Sequence, residues 1–140
     1  MPDFVAGSWL IVATVGHEIV GCARVEPTPT PFPVGRLDGV PELDADRRNE
    51  WLAGGTELVE LVVHPAARGH GVGSLLEATA RSAAREQRSW VVLTDVERAA
   101  VPFFLRRGWT PRAAVTQDRS RPVVLLPSSH PAVRGCRPGG

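Results

Sequence analysis

The chain has 140 residues, of which 43% are hydrophobic and 22% charged, and its formal net charge is +1 at pH 7. These values are typical of one globular domain and exclude a strongly basic nucleic-acid binder. All 16 basic residues are arginine, which excludes a P-loop lysine and a Schiff-base lysine. No apolar run is long enough to cross a membrane and no secretory signal pattern follows Met1, so we expect a cytoplasmic protein without a membrane partner.

The cysteines and histidines give no sign of a metal site. Cys22 and Cys136 lie far apart and read as two reduced thiols of a cytosolic protein. The 4 histidines are scattered, without a spacing that metal ligands use. We therefore expect no metal.

The first half of the chain predicts a β-hairpin, a loop and a short helix. Strands at 9–15 and 19–25 flank a turn at Gly16, which predicts an antiparallel hairpin. The prolines of residues 27–33 remove strand hydrogen-bond donors and predict an extended loop. Residues 44–53 predict a short helix that ends at two glycines.

The second half predicts a strand–helix–strand unit followed by a helix and two closing strands. The strands are 57–63 and 90–96, and the apolar character of the second favours a parallel pair covered on both faces. The sequence thus predicts a mixed α/β sheet with one crossover, in a single domain at 1–127 with a flexible tail at 128–140. The other predicted elements are helices at 72–87 and 98–107 and strands at 109–116 and 122–127. The apolar stripe of the first helix is assigned to Val72, Leu75, Leu76, Ala80 and Ala83.

A glycine-rich segment at 63–74 (VHPAARGHGVGS) joins the third predicted strand to this helix. Its glycines allow a tight turn, and the first helical turn offers free N–H groups at the positive end of the helix dipole. Such a segment is suited to bind a phosphate or pyrophosphate. The dinucleotide fingerprint fails because Ser74 and Leu76 stand where glycine is required, although Asp95 keeps a nucleotide-binding domain open as an alternative.

At this point the sequence resembles the GNAT superfamily of acyl-CoA-dependent N-acetyltransferases. Residues 68–73 (RGHGVG) match that family's signature of Arg or Gln, two residues, Gly, one residue, and Gly or Ala. Residues 100–109 (AVPFFLRRGW) look like its second signature, A-x-x-F-Y-x-x-x-G-F. The resemblance runs from about residue 9 to 126 and implies a GNAT-like fold with acetyl-CoA as cosubstrate.

The resemblance also implies which residues bind the coenzyme. Backbone amides from Arg68 to Ser74 would hold the pyrophosphate, and the backbone of Val63 would bind the pantetheine arm and thioester oxygen where the third and fourth strands splay apart. Phe103 and Phe104 would flank the thiol end, although we favour a core position for Phe103. The implied cofactor-binding residues are Val63, Arg68, Gly69, His70, Gly71, Val72, Gly73, Ser74 and Phe104.

Acyl transfer to an amine also requires a base. A free alkyl amine has a pKa of about 10.4 and is almost entirely protonated at pH 7, and a carboxylate can remove that proton directly or through water. Glu57 matches the position of a glutamate base in some family members, whereas Glu60 lies closer to the expected thioester. Glu57 is at an odd-numbered and Glu60 at an even-numbered position, so a regular strand would point their side chains to opposite faces of the sheet. A bulge between them would alter this alternation.

Two readings of the function remain. The first is an N-acetyltransferase that moves acetyl from acetyl-CoA to a primary amine of a small molecule or protein by direct attack on the thioester. The second is a non-catalytic CoA-binding sensor or interaction module. It is kept because Phe104 stands where the family often has a tyrosine that protonates the leaving thiolate, and the chain contains no tyrosine. In an enzyme, the thiolate would then leave without a side-chain acid or take a proton from water.

The predicted hairpin begins almost at once, whereas family members usually start with a strand and one or two helices that wall the acceptor site. We therefore expect an N-terminally shortened version of the fold. Either residues 27–55 replace that wall or a second subunit supplies it, which would make the protein a homodimer. Candidate acceptor contacts in that segment are Arg36, Asp38, Glu42, Asp44, Asp46, Glu50 and Trp51.

Overall fold

The fold is described from a computed structural model, which covers residues 8–84, 88–113 and 122–134, with the backbone alone at 95, 96 and 113. The strands are β1 (Trp9–Val15), β2 (Glu18–Pro27), β3 (Thr56–Val63), β4 (Ser89–Leu93), β5 (Trp109–Ala113) and β6 (Val123–Pro127). The helices are α1 (Ala45–Arg47, continued by a π-helical turn, Arg48–Leu52), α2 (Val72–Ala83), α3 (Val101–Arg106) and α4 (Pro131–Arg134). Two 3₁₀ turns, Pro65–Ala67 and Asp95–Ala100, precede α2 and α3.

The strands form one six-stranded sheet in the order β1-β2-β3-β4-β6-β5. The pairing of β3 with β4 is parallel and the other pairings are antiparallel. This arrangement confirms the predicted mixed α/β sheet, with α2 as the connection between the parallel strands. β4 ends earlier than predicted because Thr94 and Glu97 form a capping box that starts the following turn.

One face of the sheet is covered by α2 and α3, which form what we call the helix-side core. The α2 residues buried in this core are Leu76 and Ala80, with Val72 partly buried against it and Glu77 buried beside them. The prediction that Leu75 belongs to the buried stripe is wrong, because its side chain is 65% exposed. The buried members of this core are Ala23, Val25, Leu58, Leu76, Ala80, Val91, Leu93, Phe104, Trp109, Val123 and Leu125.

The 27–55 segment covers part of the opposite face and forms a second hydrophobic cluster, the insertion-side core. Trp90 on β4 is fully buried there, and its indole N–H donates to the Thr28 hydroxyl over 2.8 Å. The segment, for which the sequence predicts a loop and one short helix, is therefore packed against β4 and β6. The buried members of this core are Phe32, Val40, Leu43, Leu52, Ala53, Trp90, Val124 and Leu126.

The beginning of the expected flexible tail is folded against this segment. His130 is 1% exposed, and its Nε2 lies 2.7 Å from the carbonyl oxygen of Trp51. Its Nδ1 accepts the N–H of Ala132 over 3.0 Å at the start of α4. The paired ring explains why residues 128–134 differ from the expected tail, while residues 135–140 and parts of the predicted elements at 85–87 and 114–121 lie outside the described residues.

Candidate functional site

A cleft opens between β3 and β4 because the two strands pair at one end only. Their parallel ladder consists of Thr56 with Ser89 and Glu57 with Trp90. Beyond this point the strands separate and line a cavity of about 390 Å³. The predicted splay of the third and fourth strands is therefore present, and it runs from Leu58 to Val63 along β3.

β3 contains one extra residue, which changes the direction of its side chains. Glu60 pairs with Arg24 of β2 and Leu58 pairs with Val25, so Val59 has no partner and forms a bulge. A bulge bends the strand and resets its alternation of faces. The side chains of Glu57 and Glu60 therefore lie on the same face of β3, whereas a regular strand would place them on opposite faces.

The backbone of β3 presents free hydrogen-bonding groups to the cleft. The N–H of His64 donates to the carbonyl of Val20 on β2 over 2.7 Å. Because hydrogen-bonding direction alternates along an antiparallel strand, the N–H and C=O groups of Leu61 and Val63 point away from β2. Those groups face the region where the β4 ladder has ended, in the position expected for Val63.

The glycine-rich turn lies at the end of this cleft. Gly69 and Gly71 have φ values of 82° and 79°, in the left-handed region that glycine adopts readily. Gly71 is the N-cap of α2 and supplies no side chain to cap the helix. Within residues 8–84, 88–113 and 122–134, the amides from Gly69 to Ser74 donate to no carbonyl or side chain, whereas the amide of Arg68 donates to Pro65.

A groove of about 640 Å³ runs along the turn and joins the cleft, because Leu61, Val63 and Phe103 line both cavities. Arg106 of α3 also lines the groove and adds a positive charge to it. The sequence does not predict this role, because Arg106 falls at a variable position of the second signature. The predicted cofactor-binding residues that line the groove are Val63, Arg68, Gly69, Gly71, Val72, Gly73 and Ser74.

His70 and Phe104 are positioned differently from these residues. The His70 side chain is turned back onto its own loop, with Nδ1 3.0 Å from the carbonyl oxygen of Arg68, and it lies outside the groove. Phe104 is 2% exposed and packs edge-to-face on Trp109 and Phe103, with ring centroids 5.5 and 5.3 Å away. Phe103, for which a core position was favoured, is half-buried and borders both cavities.

Glu57 and Glu60 lie on the same face of β3, opposite α2, but in different surroundings. Glu57 is 6% exposed, and its two oxygens accept from Nη1 and Nη2 of Arg36 over 2.7 and 2.6 Å. The Arg36 guanidinium also lies 5.0 Å from the ring centre of Trp90, and hydrogen bonding to Glu57 holds the pKa of Arg36 above its usual value. Glu60 borders the cleft, has a half-exposed side chain and lies 3.5 Å from Nε of Arg24.

The described part of the chain contains no cluster of three or more His, Cys, Asp or Glu side chains arranged to hold a metal ion. It also contains no helix with the length and apolar character needed to cross a membrane. The side chain of Asp95, which kept a nucleotide site open, lies outside the described residues.

Comparisons with known proteins agree with this arrangement. The fold is similar to that of a GNAT-family protein from Desulfovibrio desulfuricans (TM-score 0.59, 18% identity, 85% of this chain and 67% of that chain) and of nourseothricin acetyltransferase (0.58, 21%, 87% and 66%). A GNAT family acetyltransferase from Elizabethkingia anophelis, whose structure has acetyl-CoA bound, is also similar (0.50, 11%, 85% and 74%).

The chain thus spans about two thirds of the length of the first two of these structures. No curated protein matched the sequence. The sequence model of the acetyltransferase (GNAT) domain matches residues 6–111, which is most of the chain. The protein therefore belongs to the GNAT acetyltransferase family.

Proposed function

We propose that the protein is an N-acyltransferase that moves an acetyl group from acetyl-CoA to a primary amine of a small molecule or a protein. The observation that carries the proposal is the row of amides from Gly69 to Ser74, which have no partner among the described residues, at the end of a cleft where β3 has no β4 partner in the same part of the chain. Amides at a helix N-terminus bind phosphate groups. A free strand edge can pair with the amide groups of a pantetheine arm.

The groove residues suggest how the coenzyme is held. In this proposal the amides of α2 would hold the pyrophosphate, with Arg68 and Arg106 of the groove as nearby cations, and the backbone of Leu61 and Val63 would pair with the pantetheine arm. Phe103 borders the passage between groove and cleft and keeps the thioester end in an apolar environment. A strand N–H directed at the thioester oxygen stabilises the developing charge by roughly 3 kcal/mol.

Glu60 is the base that the geometry favours. It borders the cleft, and its half-exposed carboxylate can accept a proton from an incoming ammonium directly or through a water. Glu57 can act only after Arg36 releases it, because both of its oxygens accept hydrogen bonds from that guanidinium. The thiolate leaves unaided or takes a proton from water, since the chain has no tyrosine.

Calorimetry tests the coenzyme site. We expect acetyl-CoA and CoA to bind and NAD not to bind. Gly71→Ala should weaken CoA binding about tenfold, because an L-residue at that φ costs roughly 1–2 kcal/mol and disturbs the amide row. Gly39→Ala is the matched control, since Gly39 has ordinary φ and open space around it. Binding of NAD without CoA would overturn the proposal.

Release of free thiol, measured over a panel of amines and acyl-CoA donors, tests catalysis. Glu60→Gln should lower the rate at neutral pH by about 100-fold, the usual contribution of a positioned base. Glu57→Gln should lower it less, because Glu57 is bonded to Arg36 in the resting state. Equal rates for Glu60→Gln and the unmodified protein would remove Glu60 from the mechanism.

A non-catalytic CoA-binding module is the second candidate. It is favoured by two observations: Phe104 is buried where the family often has a tyrosine, and Glu57 is paired with Arg36. The two candidates differ in one measurement. CoA binding without thiol release from any amine would support the module, and amine-dependent thiol release would support the enzyme.

A further inference from the structure

β1 is an edge strand of unusual composition. It forms one end of the sheet order, and its seven residues, WLIVATV, include no charged residue and no proline. Natural proteins usually protect such edges with charges, prolines or a covering segment. Among the described residues, β2 is the strand that pairs with β1, and no other strand pairs with its outer side.

The hydrogen-bonding groups on the outer side of β1 can be assigned from the sheet register. Val20 bonds to His64 of β3, so the even-numbered residues of β2 face β3 and the odd-numbered ones face β1. Ala23 is paired with Ile11, which therefore bonds to β2. By alternation along β1, the N–H and C=O groups of Leu10, Val12 and Thr14 point outward.

The same strand carries an apolar surface on the face opposite α2. Leu10 and Val12 are 49% and 44% exposed, and the cross-strand row from Val12 continues through Cys22 to Val62, which is 55% exposed. The insertion-side core covers β4 and β6 on this face. The described part of the 27–55 segment therefore leaves the β1 end of the face open.

We propose that a second copy of the chain pairs with β1 in antiparallel orientation, so that two six-stranded sheets become one. The outward groups are symmetric about Val12, so a two-fold axis there opposes Val12 to Val12 of the second copy and Leu10 to Thr14. Each of these three pairs exchanges two hydrogen bonds. The proposal does not depend on acyl transfer.

The charge of the surface favours a second copy over a charged partner. An isologous interface places each residue against a copy of its neighbours, so charges on the strand would repel, and β1 has none. A basic or acidic partner would gain no ion pair from the strand itself. The open apolar surface formed by Leu10, Val12, Cys22 and Val62 would meet an equally apolar copy across the same axis.

Light scattering after gel filtration tests the interface at high micromolar concentration. The unmodified protein should be a dimer, and Val12→Lys should be a monomer with an unchanged circular dichroism spectrum. Val34→Lys is the matched control, because Val34 is fully exposed and lies in the 27–55 segment; this variant should remain a dimer. A monomeric unmodified protein, or a dimeric Val12→Lys variant, would overturn the proposal.

Cysteine cross-linking tests the register. In a background with Cys22→Ser and Cys136→Ser, Val12→Cys should form a disulfide-linked dimer on mild oxidation, because opposed residues of a hydrogen-bonded pair lie about 5.5 Å apart. Leu10→Cys has similar exposure but should not cross-link, since the two copies of residue 10 lie roughly 14 Å apart. Equal cross-linking of both variants, or an assembly containing a different protein, would show another occupant of the edge.

Discussion

Replacing Glu77 by alanine should strongly destabilise the fold, because its carboxylate is buried and accepts hydrogen bonds from three side chains. Glu77 is fully buried, and its carboxylate accepts from the indole N–H of Trp109 over 2.8 Å and from Nε of Arg107 over 2.9 Å. Arg81, one turn along α2, completes the set of donors. The carboxylate thus links α2 to the end of α3 and the start of β5.

The magnitude follows from the state of each donor after the substitution. The buried indole N–H of Trp109 loses its acceptor, which costs roughly 1–3 kcal/mol. A guanidinium stranded in a core would add more, but the side chains of Arg81 and Arg107 are 23% and 31% exposed and can be hydrated. We therefore expect a loss of about 3 kcal/mol, at the lower end of values for broken buried ion pairs.

Urea denaturation followed by circular dichroism measures this loss. Glu60→Ala is the control, because its half-exposed carboxylate should contribute less than about 0.5 kcal/mol. A double-mutant cycle of Glu77→Ala with Trp109→Phe should depart from additivity by about 1 kcal/mol. A loss below about 1 kcal/mol for Glu77→Ala, or an additive cycle, would refute the idea that this carboxylate joins the two helices.

Two further predictions concern stability. Gly55→Ala should lower the free energy of unfolding by more than about 2 kcal/mol, because a Cβ at Gly55 would overlap the backbone oxygen of Arg88. Gly39→Ala is the control in the same urea titration and should change this free energy by less than about 0.5 kcal/mol. Burial lowers the pKa of His130, whose Nε2 faces the carbonyl oxygen of Trp51. As the pH falls, His130 of the unfolded chain therefore binds a proton before His130 of the folded chain does. The free energy of unfolding should decrease as the pH drops below about 6.5. His130→Asn should flatten this pH dependence, and an equally steep profile in that variant would assign the acid sensitivity to other groups.

The strands and the glycine-rich turn before α2 could be predicted because local rules determine them. Glycine at positions with positive φ, a hairpin turn and alternating apolar residues act over a few neighbouring residues. The burial of Glu77 could not be predicted in this way. Its donors Arg107 and Trp109 lie 30 and 32 positions along the chain. The exposure of Leu75 has the same origin, since the face that α2 buries is set by the sheet beneath it.

The packing of the 27–55 segment could not be predicted for a similar reason. Phe32, Val40, Leu43 and Leu52 follow neither the helical nor the strand period, yet all are buried in one cluster with Trp90. Their burial depends on the sheet face that the segment meets, which no local pattern specifies. The ion pair of Arg36 with Glu57 depends on the same packing, so the sequence alone indicates Arg36 only as one of several candidate acceptor contacts.

One extra residue in β3 explains several properties of the candidate site together. The bulge at Val59 restores Glu57 and Glu60 to one face, so the two candidate bases share the side of the sheet on which the 27–55 segment packs. It also lies where the ladder with β4 ends, and a bulge bends a strand away from its neighbour. Within the part of the chain that the structure describes, the separation leaves the amide groups of Leu61 and Val63 without a strand partner. Cleft, carboxylates and free backbone thus have a common structural cause, which a count of alternating residues along β3 would miss.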